Sequence, residues 1–240
     1  MIESISRRQK HLQTMWDGRA TTWHRQVENS DNFLRIRNQL LALARVSAED
    51  DVVDLGAGSG FVALAIAPRV KSVIAIDLSE EMLAILNLES SAASLSDKIG
   101  CMKADLATID LPPNSVDVVV SCYALHHLND ASKRLLLKRI RAWIRPGGRI
   151  VIADMMFGRG RTAHDRRIIY HKVRGMLSKG VPGVWRLMRN MVRFGFRRGS
   201  ELPASPSFWV EALKDADFSD VTYSPLIAEA GLVSGAAAGP

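Results

Sequence analysis

The stretch DVVDLGAGSGF (51–61) constrains this chain more than any other. Val52, Val53 and Leu55 form the apolar run of a short buried strand, and Gly56, Gly58 and Gly60 follow within five residues. Phe61 to Ala67 (FVALAIA) reads as an apolar helix opening that Pro68 closes. Strand, glycine turn and helix start in that order predict a nucleotide-binding corner. Glycine permits the tight turn, and amides at the helix start face an anionic group of the ligand. The dinucleotide fingerprint requires its third glycine where this chain has Phe61; here the spacing is Gly-x-Gly-x-Gly, preceded by Asp54. Taken alone, such a stretch also suits a structural turn in another α/β protein.

The following segments extend the pattern. SVIAID (72–77) reads as a second buried strand ending in Asp77, at the interval where a carboxylate on the strand tip accepts hydrogen bonds from two ribose hydroxyls. The alternative for Asp77 is a helix cap, a role Ser79 can fill instead; Glu80 and Glu81 then sit in a first helical turn, where the macrodipole favours them. Residues 100–128 carry two more strands, separated by the turn Pro112-Pro113-Asn114-Ser115; the second is VDVVVSC (116–122), apolar enough for a parallel sheet. WIRPGGRIVIADMM (143–156) reads as a helix end, a Pro-Gly-Gly turn and a fifth strand. Residues 208–238 read as a helix and two strands joined near Glu229 to Gly231. Upstream, Phe33 to Ala44 has the apolar spacing of a helix leading into the first strand.

A glycine corner preceded by Asp54, acidic tips after strands two and three, and the Pro-Gly-Gly turn, in that order, resemble the class I S-adenosylmethionine (SAM)-dependent methyltransferases. The resemblance covers roughly residues 50–157 and, more loosely, the C-terminus. Within that superfamily it is to the small-molecule branch (type 11) that includes the ubiquinone/menaquinone-biosynthesis enzymes. Two departures make quinone methylation only one candidate: ALHHL (124–128) replaces an arginine-asparagine pair, and Gly56-Ala57 replaces the usual Ala-Gly.

The resemblance implies an α/β fold: a Rossmann-like, seven-stranded, mostly parallel sheet with an antiparallel last strand, helices on both faces and a helical cover. A single domain would then comprise an N-terminal helical cover (1–48), a SAM-binding core (49–157), a basic helical insertion (158–206) and a C-terminal helix with a strand pair (207–240). It implies SAM as methyl donor, S-adenosylhomocysteine as product, and a site built from Asp54, Gly56, Ala57, Gly58 and Ser59 at the corner. Asp77 with Leu78 would serve the ribose, with Met82 nearby, and Asp105 with Leu106 the adenine, the carboxylate accepting from the exocyclic amine. Ser121 and Cys122 would face the methionine part. WDGRATTW (16–23) is similar to a segment of the form W/Y-D-x-x-A-x-x-Y/W that lies over the methionine end in many relatives, which assigns Trp23 to the site. On one helix Trp16 and Trp23 would share a face, a pattern that equally suits a cover helix packing on the sheet.

Methyl transfer from a sulfonium is an in-line displacement that disperses positive charge, so it needs alignment and exclusion of water more than acid–base help. A phenol or enol carbon still benefits from a general base. His126 and His127, after the fourth strand, are the catalytic candidates, although each also suits a histidine packing on its loop. Tyr123, His24, His164, Tyr170 and His171 are further candidates on loops or cover helices. No Asn/Asp-Pro-Pro-Tyr/Phe follows strand four, which argues against adenine- and glutamine-amine methylation, and no Pro-Cys argues against cytosine C5 chemistry. No clustered acid/His set suggests a metal. The expected acceptor is small and lipophilic, with O- or C-methylation favoured.

The formal net charge of +7 belongs to one segment: residues 159–198 hold twelve Lys/Arg against Asp165 alone. Within it, PGVWRLMRNMVRFGFRR (182–198) places Val184, Leu187, Met188, Met191 and Val192 on one helical stripe and Arg186, Arg189, Arg193 and Arg197 mostly on another. The readings are a cover helix over the active-site mouth, a membrane-surface or anionic-lipid contact anchored by Trp185, Phe194 and Phe196, and a nucleic-acid contact. Only charge supports the last, so methylation of RNA or another polyanion through 159–198 stands as the alternative function. Cys101 and Cys122 fall in strand contexts, against a disulfide scaffold and consistent with a reducing compartment. The first residues show no secretory apolar region, and no run reaches the ~18 apolar residues of a spanning helix. The expected location is cytoplasmic, peripheral to a membrane if 182–198 binds lipid.

Overall fold

The computed structural model describes residues 7–158, 166, 170, 173–174, 201–227 and 229–239. The 182–198 segment and most of the 158–206 insertion, with His164 and His171, lie outside the described residues; Tyr170 is exposed. Helices α1 (Arg7–Asp17), α2 (Ala20–Glu28) and α3 (Asp31–Ala44) precede strand β1 (Asp51–Leu55). Then come α4 (Ala63–Ile66), β2 (Ser72–Asp77), α5 (Glu80–Ala92), β3 (Ile99–Lys103) and β4 (Val116–Cys122). The chain continues through α6 (Asp130–Trp143), β5 (Ile144–Met155), α7 (Pro206–Lys214), β6 (Phe218–Pro225) and β7 (Ala230–Ala237).

The seven strands form one sheet in the order β3-β2-β1-β4-β5-β7-β6. β1 to β5 are parallel, and β7 runs antiparallel to both β5 and β6, the arrangement the family resemblance implies. Pleating sorts the apolar strand residues onto two faces. Val53, Leu55, Val119, Ile150 and Ile152 pack with Leu137, Ile140 and Trp143 of α6 and Trp209 of α7. Val52, Val118, Val120 and Val151 pack with Ile36 and Leu40 of α3, Ile66 of α4 and Leu86 of α5. Covered on both faces, the sheet leaves its two edges of strand ends for polar chemistry. Among the described residues no helix is long and apolar enough to cross a membrane.

Three local expectations change. The helix after the glycine corner spans only Ala63–Ile66 and passes into a 3-10 turn, Ala67–Arg69, that contains Pro68. Its Ala63 amide is taken by the Asp54 carboxyl, so this helix start presents no free anion site. Pro146-Gly147-Gly148 is a bulge inside β5: pairing jumps from Val116 with Ile144 to Val118 with Arg149, and Gly147 takes φ 80°, which a side chain would resist. Trp16 and Trp23 are on separate helices, because the chain turns at Gly18-Arg19. They nevertheless meet edge to face, with ring centroids 5.4 Å apart.

The amino edge of the sheet is closed by charge. Arg145 donates to Asp117 at 2.6 Å and to Asp51 at 3.2 Å, while Asp51 also accepts from Ser72 and Lys71. Arg149 reaches Asp50 at 3.1 Å. At the opposite, carboxyl edge, α1 and α2 lie over the loops that follow β1, β2 and β4. Ser79 donates to Asp17, His24 Nδ1 and Ser59 Oγ are 3.1 Å apart, and Trp16 meets the His127 ring edge-on at 5.5 Å.

Candidate active site

Where β1 ends, the Gly56 and Ala57 amides donate to Ile76 O at 2.8 and 3.0 Å, bending the chain across the tip of β2. Gly56, Gly58 and Gly60 take φ of 70°, 54° and 94°, a region open to glycine and strained for other residues. A Cβ on Gly56 would lie 2.1 Å from that of Ala124, so the loops after β1 and β4 approach this closely only with glycine here. The corner therefore shapes a crevice between neighbouring loops at the point where the strand order reverses.

Three carboxyl groups face that crevice, and none has an ion-pair partner among the described residues. Asp77 accepts from the Gly58 amide at 2.8 Å and the Ser79 amide at 2.9 Å. Ser79, whose Oγ accepts from the Met82 amide, is the cap of α5, which leaves Asp77 joining two loops. Asp54 is buried, and its Oδ2 has no hydrogen-bond partner among the described residues. Asp105 Oδ1 accepts from the Ala107 amide at 2.9 Å, while its buried Oδ2 likewise lacks a partner. Burial pushes Asp54 up to about 7 against the Ala63 amide, with the charge of Asp77 adding to the rise. Asp77 is raised too, chiefly by burial, against the Ser79, Gly58 and Leu78 amides and with Asp17 adding. Carboxylates in this state favour a ligand that brings positive charge and hydrogen-bond donors.

Trp23, Asp54, Gly56, Ala57, Gly58, Ser59, Asp77, Leu78, Met82, Asp105, Leu106 and Cys122 line this one cavity, which holds about 990 Å³ of open space with its mouth included. Ser121 is the exception: it alternates away from Cys122 along β4, and its buried Oγ donates to Leu55 O at 2.8 Å, stitching β4 to β1. Burial raises the Cys122 thiol, so it contributes a neutral wall. Leu12, Val27, Phe33 and Phe61 also line it; in the sequence nothing separates them from ordinary core residues.

A second cavity, of about 1090 Å³ on the same measure, adjoins the first across Trp16, Trp23, Phe33, Tyr123 and His127, which border both. These rings meet edge to face: Trp23 with Phe33 at 5.4 Å and Phe33 with Tyr123 at 5.1 Å. Tyr123 holds φ 55°, a strained value for a bulky residue, at the junction of the two spaces. Its hydroxyl is raised by burial, with Glu229 and Asp154 nearby, and so stays protonated.

The two candidate histidines separate. His127 is in the shared wall; His126 is buried and borders only the second cavity. His126 Nδ1 lies 2.6 Å from Asp154 Oδ1, and its amide donates to Oδ2 at 2.9 Å. Sequence reasoning misses Asp154, although an acid within the apolar strand VIADMM is a signal, because a buried carboxylate requires partners. His24 is taken up by Ser59 and by Glu28 and Glu89, at 3.4 and 3.7 Å. Among the described residues no group of three or more His, Cys, Asp or Glu could hold a metal ion.

A family model described as a methyltransferase domain matches residues 52–148. An uncharacterized methyltransferase of Geobacillus kaustophilus is 30% identical over 160 residues, which cover 65% of this chain and 72% of that protein. Among solved structures, the apo form of the S-adenosylmethionine-dependent methyltransferase SibL is similar with a TM-score of 0.62 at 21% identity, over 84% of this chain and 54% of that one. The [4+2]-cyclase SpnF is similar with a TM-score of 0.69 at 12% identity, over 95% and 96% of the two chains. At such identities the two structures share the fold, and chemistry has to be argued from the site.

Proposed function

The chain belongs to the class I S-adenosylmethionine-dependent methyltransferases, and on that premise we propose that it methylates a small, lipophilic acceptor on oxygen or carbon, leaving S-adenosylhomocysteine. One observation carries this reading: a cavity ringed by unpaired carboxyl groups shares an aromatic wall with a second cavity beside His126.

The residues fit the donor. Asp105 Oδ2, buried without a partner beside Leu106, suits the exocyclic amine of adenine. Asp77, fixed by two backbone amides, keeps lone pairs for the ribose hydroxyls. Asp54 Oδ2, also without a partner among the described residues, suits an ammonium group, and the charge of a cationic ligand offsets the desolvation that raises both Asp54 and Asp77. A pyrophosphate there would meet the same carboxyl groups as like charges. Bound SAM supplies a methyl carbon activated by its sulfonium. The aromatic wall aligns the acceptor and keeps water out, while α1 and α2 cover the crevice.

Calorimetry tests the site: Asp77→Ala and Gly58→Val should each weaken SAM binding by about tenfold or more. Unchanged affinity in both removes the assignment. Labelled SAM supplied to a cell extract should deliver its methyl group into the organic phase; label confined to the aqueous phase rejects a lipophilic acceptor. The second reading, an RNA or polyanion substrate, rests on the twelve Lys/Arg of residues 159–198, outside the described residues. RNA binding that is absent at moderate salt, or lacks a steep salt slope, removes it.

A further inference from the structure

The second cavity holds a polar device that donor binding leaves unused. Asp154 is fully buried, yet its carboxyl accepts three times: from the Met155 amide at 2.7 Å, from the His126 amide at 2.9 Å and from His126 Nδ1 at 2.6 Å. Both Asp154 oxygens already accept from backbone amides, so the geometry makes Nδ1 the donor to the carboxyl and leaves Nε2 as the ring nitrogen open to the cavity. Among the described residues no group hydrogen-bonds Nε2. The loop itself is pinned from the other side, where His126 O accepts from the Leu202 amide at 2.6 Å. The imidazole is therefore held in one tautomer and one orientation, at a cavity the donor carboxylates do not border.

We propose that this second cavity takes an aromatic hydroxyl compound, a phenol or its fused-ring equivalent, and that His126, held by the positioning residue Asp154, receives the hydroxyl proton during methyl transfer. The proposal deepens the methyltransferase reading and rests on it. Trp16, Trp23, Phe33 and Tyr123, with Met15 and Met155, wall a space whose edges and polarisable sulfurs suit a flat ring better than a flexible chain. The base narrows the class further. A phenol, with an ordinary pKa of about 10, is within reach of an imidazole as the new bond forms. An aliphatic alcohol lies too far above it, while carboxylate acceptors are already ionised and need no base. As the phenol O–H bond breaks, its proton goes to Nε2 and an oxygen lone pair forms the bond to the methyl carbon. The electrons of the broken carbon–sulfur bond stay on sulfur, which becomes a neutral thioether. The resulting imidazolium faces Asp154 and returns its proton to solvent at the mouth, where Arg19, Gln26 and Glu201 are exposed.

Nitrogen-15 NMR of the histidine-labelled full chain tests the device without an acceptor: His126 should show a protonated Nδ1 and a bare Nε2, and Asp154→Asn should populate the other tautomer. A wild-type Nε2–H form overturns the proposal. Then 2-naphthol, titrated into chain saturated with S-adenosylhomocysteine, should bind saturably, and Trp16→Ala should weaken it. With SAM present, Asp154→Asn and His126→Gln should each lower kcat for 2-naphthol methylation about 100-fold with KM nearly unchanged. No naphthol binding, binding without methylation, or an unchanged kcat in both variants overturns it. If Asp154→Asn does not fold, by circular dichroism, His126→Gln carries the kinetic arm. A wild-type chain that binds no SAM refutes the donor site instead, leaving the tautomer and naphthol results to be judged separately.

Discussion

Asp51 and Asp54 sit three residues apart on β1, at opposite edges of the same sheet, and burial raises both, but only one of them has compensating side-chain partners among the described residues. Burial raises Asp51, but hydrogen bonds from Ser72 and Lys71, the Lys71 charge and Arg145 outweigh it and hold the carboxyl below its ordinary value. Asp54 is pushed up to about 7, chiefly by burial, with no ion-pair partner among the described residues. The same division holds for their neighbours: Asp117 and Asp50 are paired with Arg145 and Arg149, whereas Asp77 and Asp105 have no ion-pair partner among the described residues. The amino edge completes its own electrostatics and serves the fold. The carboxyl edge leaves its charge incomplete, at a cost in stability, for a ligand to finish.

The sharpest way to break that contrast is steric. Gly56→Val puts a side chain where the Ala124 Cβ already stands, on a backbone with φ 70°. It should separate the loops after β1 and β4 and reduce SAM affinity about 100-fold or more, read by calorimetry. Retained affinity would mean that the close approach of the two loops does not shape the site.

The next effect is a proton. Asp54 has a folded value near 7 against an ordinary 3.8, so its contribution to stability is full below 3.8 and is lost as pH rises through about 7. A cationic ligand favours the ionised form, so binding should release a proton and strengthen by about tenfold between pH 6 and pH 8. Asp54→Asn should flatten that dependence. A wild-type affinity indifferent to pH, or an unchanged slope in the variant, takes Asp54 out of the ligand's reach. Asp51 has the opposite sign: its contribution is present above 3.8 and is lost as pH falls through its lowered folded value, with or without ligand.

The donor cavity is far more legible in the sequence than the second cavity beside it. The glycine corner and the strand-tip acids follow the intervals of the family they resemble, so the sequence sets Asp54, Gly56, Asp77 and Asp105 at strand ends, and all four line one cavity. Ser121 cannot, because strand-end position does not say which way the pleat turns. Heptad spacing suggests one helix for Trp16 and Trp23, since it ignores a turn at Gly18. Asp154 escapes notice because its partner, His126, lies on a loop 28 residues away. The second cavity is illegible for the same reason: its walls come from α1, α2, α3, the loop after β4, β5 and Glu201, and only tertiary packing brings them together.

The smallest expected effect tests the amino edge. Arg145 reaches Asp51, Asp117 and the Ser115 carbonyl, but it is part-exposed, so water and salt screen much of its attraction. Arg145→Ala should therefore cost only about 1–2 kcal/mol, a fall of a few degrees in Tm. The loss should shrink as salt is added, because the wild-type pairs are themselves screened. SAM affinity should not change, since strand β1 separates this cluster from the carboxyl groups that await the ligand. A variant that keeps its Tm but loses SAM affinity would invert the division of labour between the two edges. A variant that loses both together would mean that β1 transmits strain from one edge to the other, and that Asp51 and Asp54 belong to a single system.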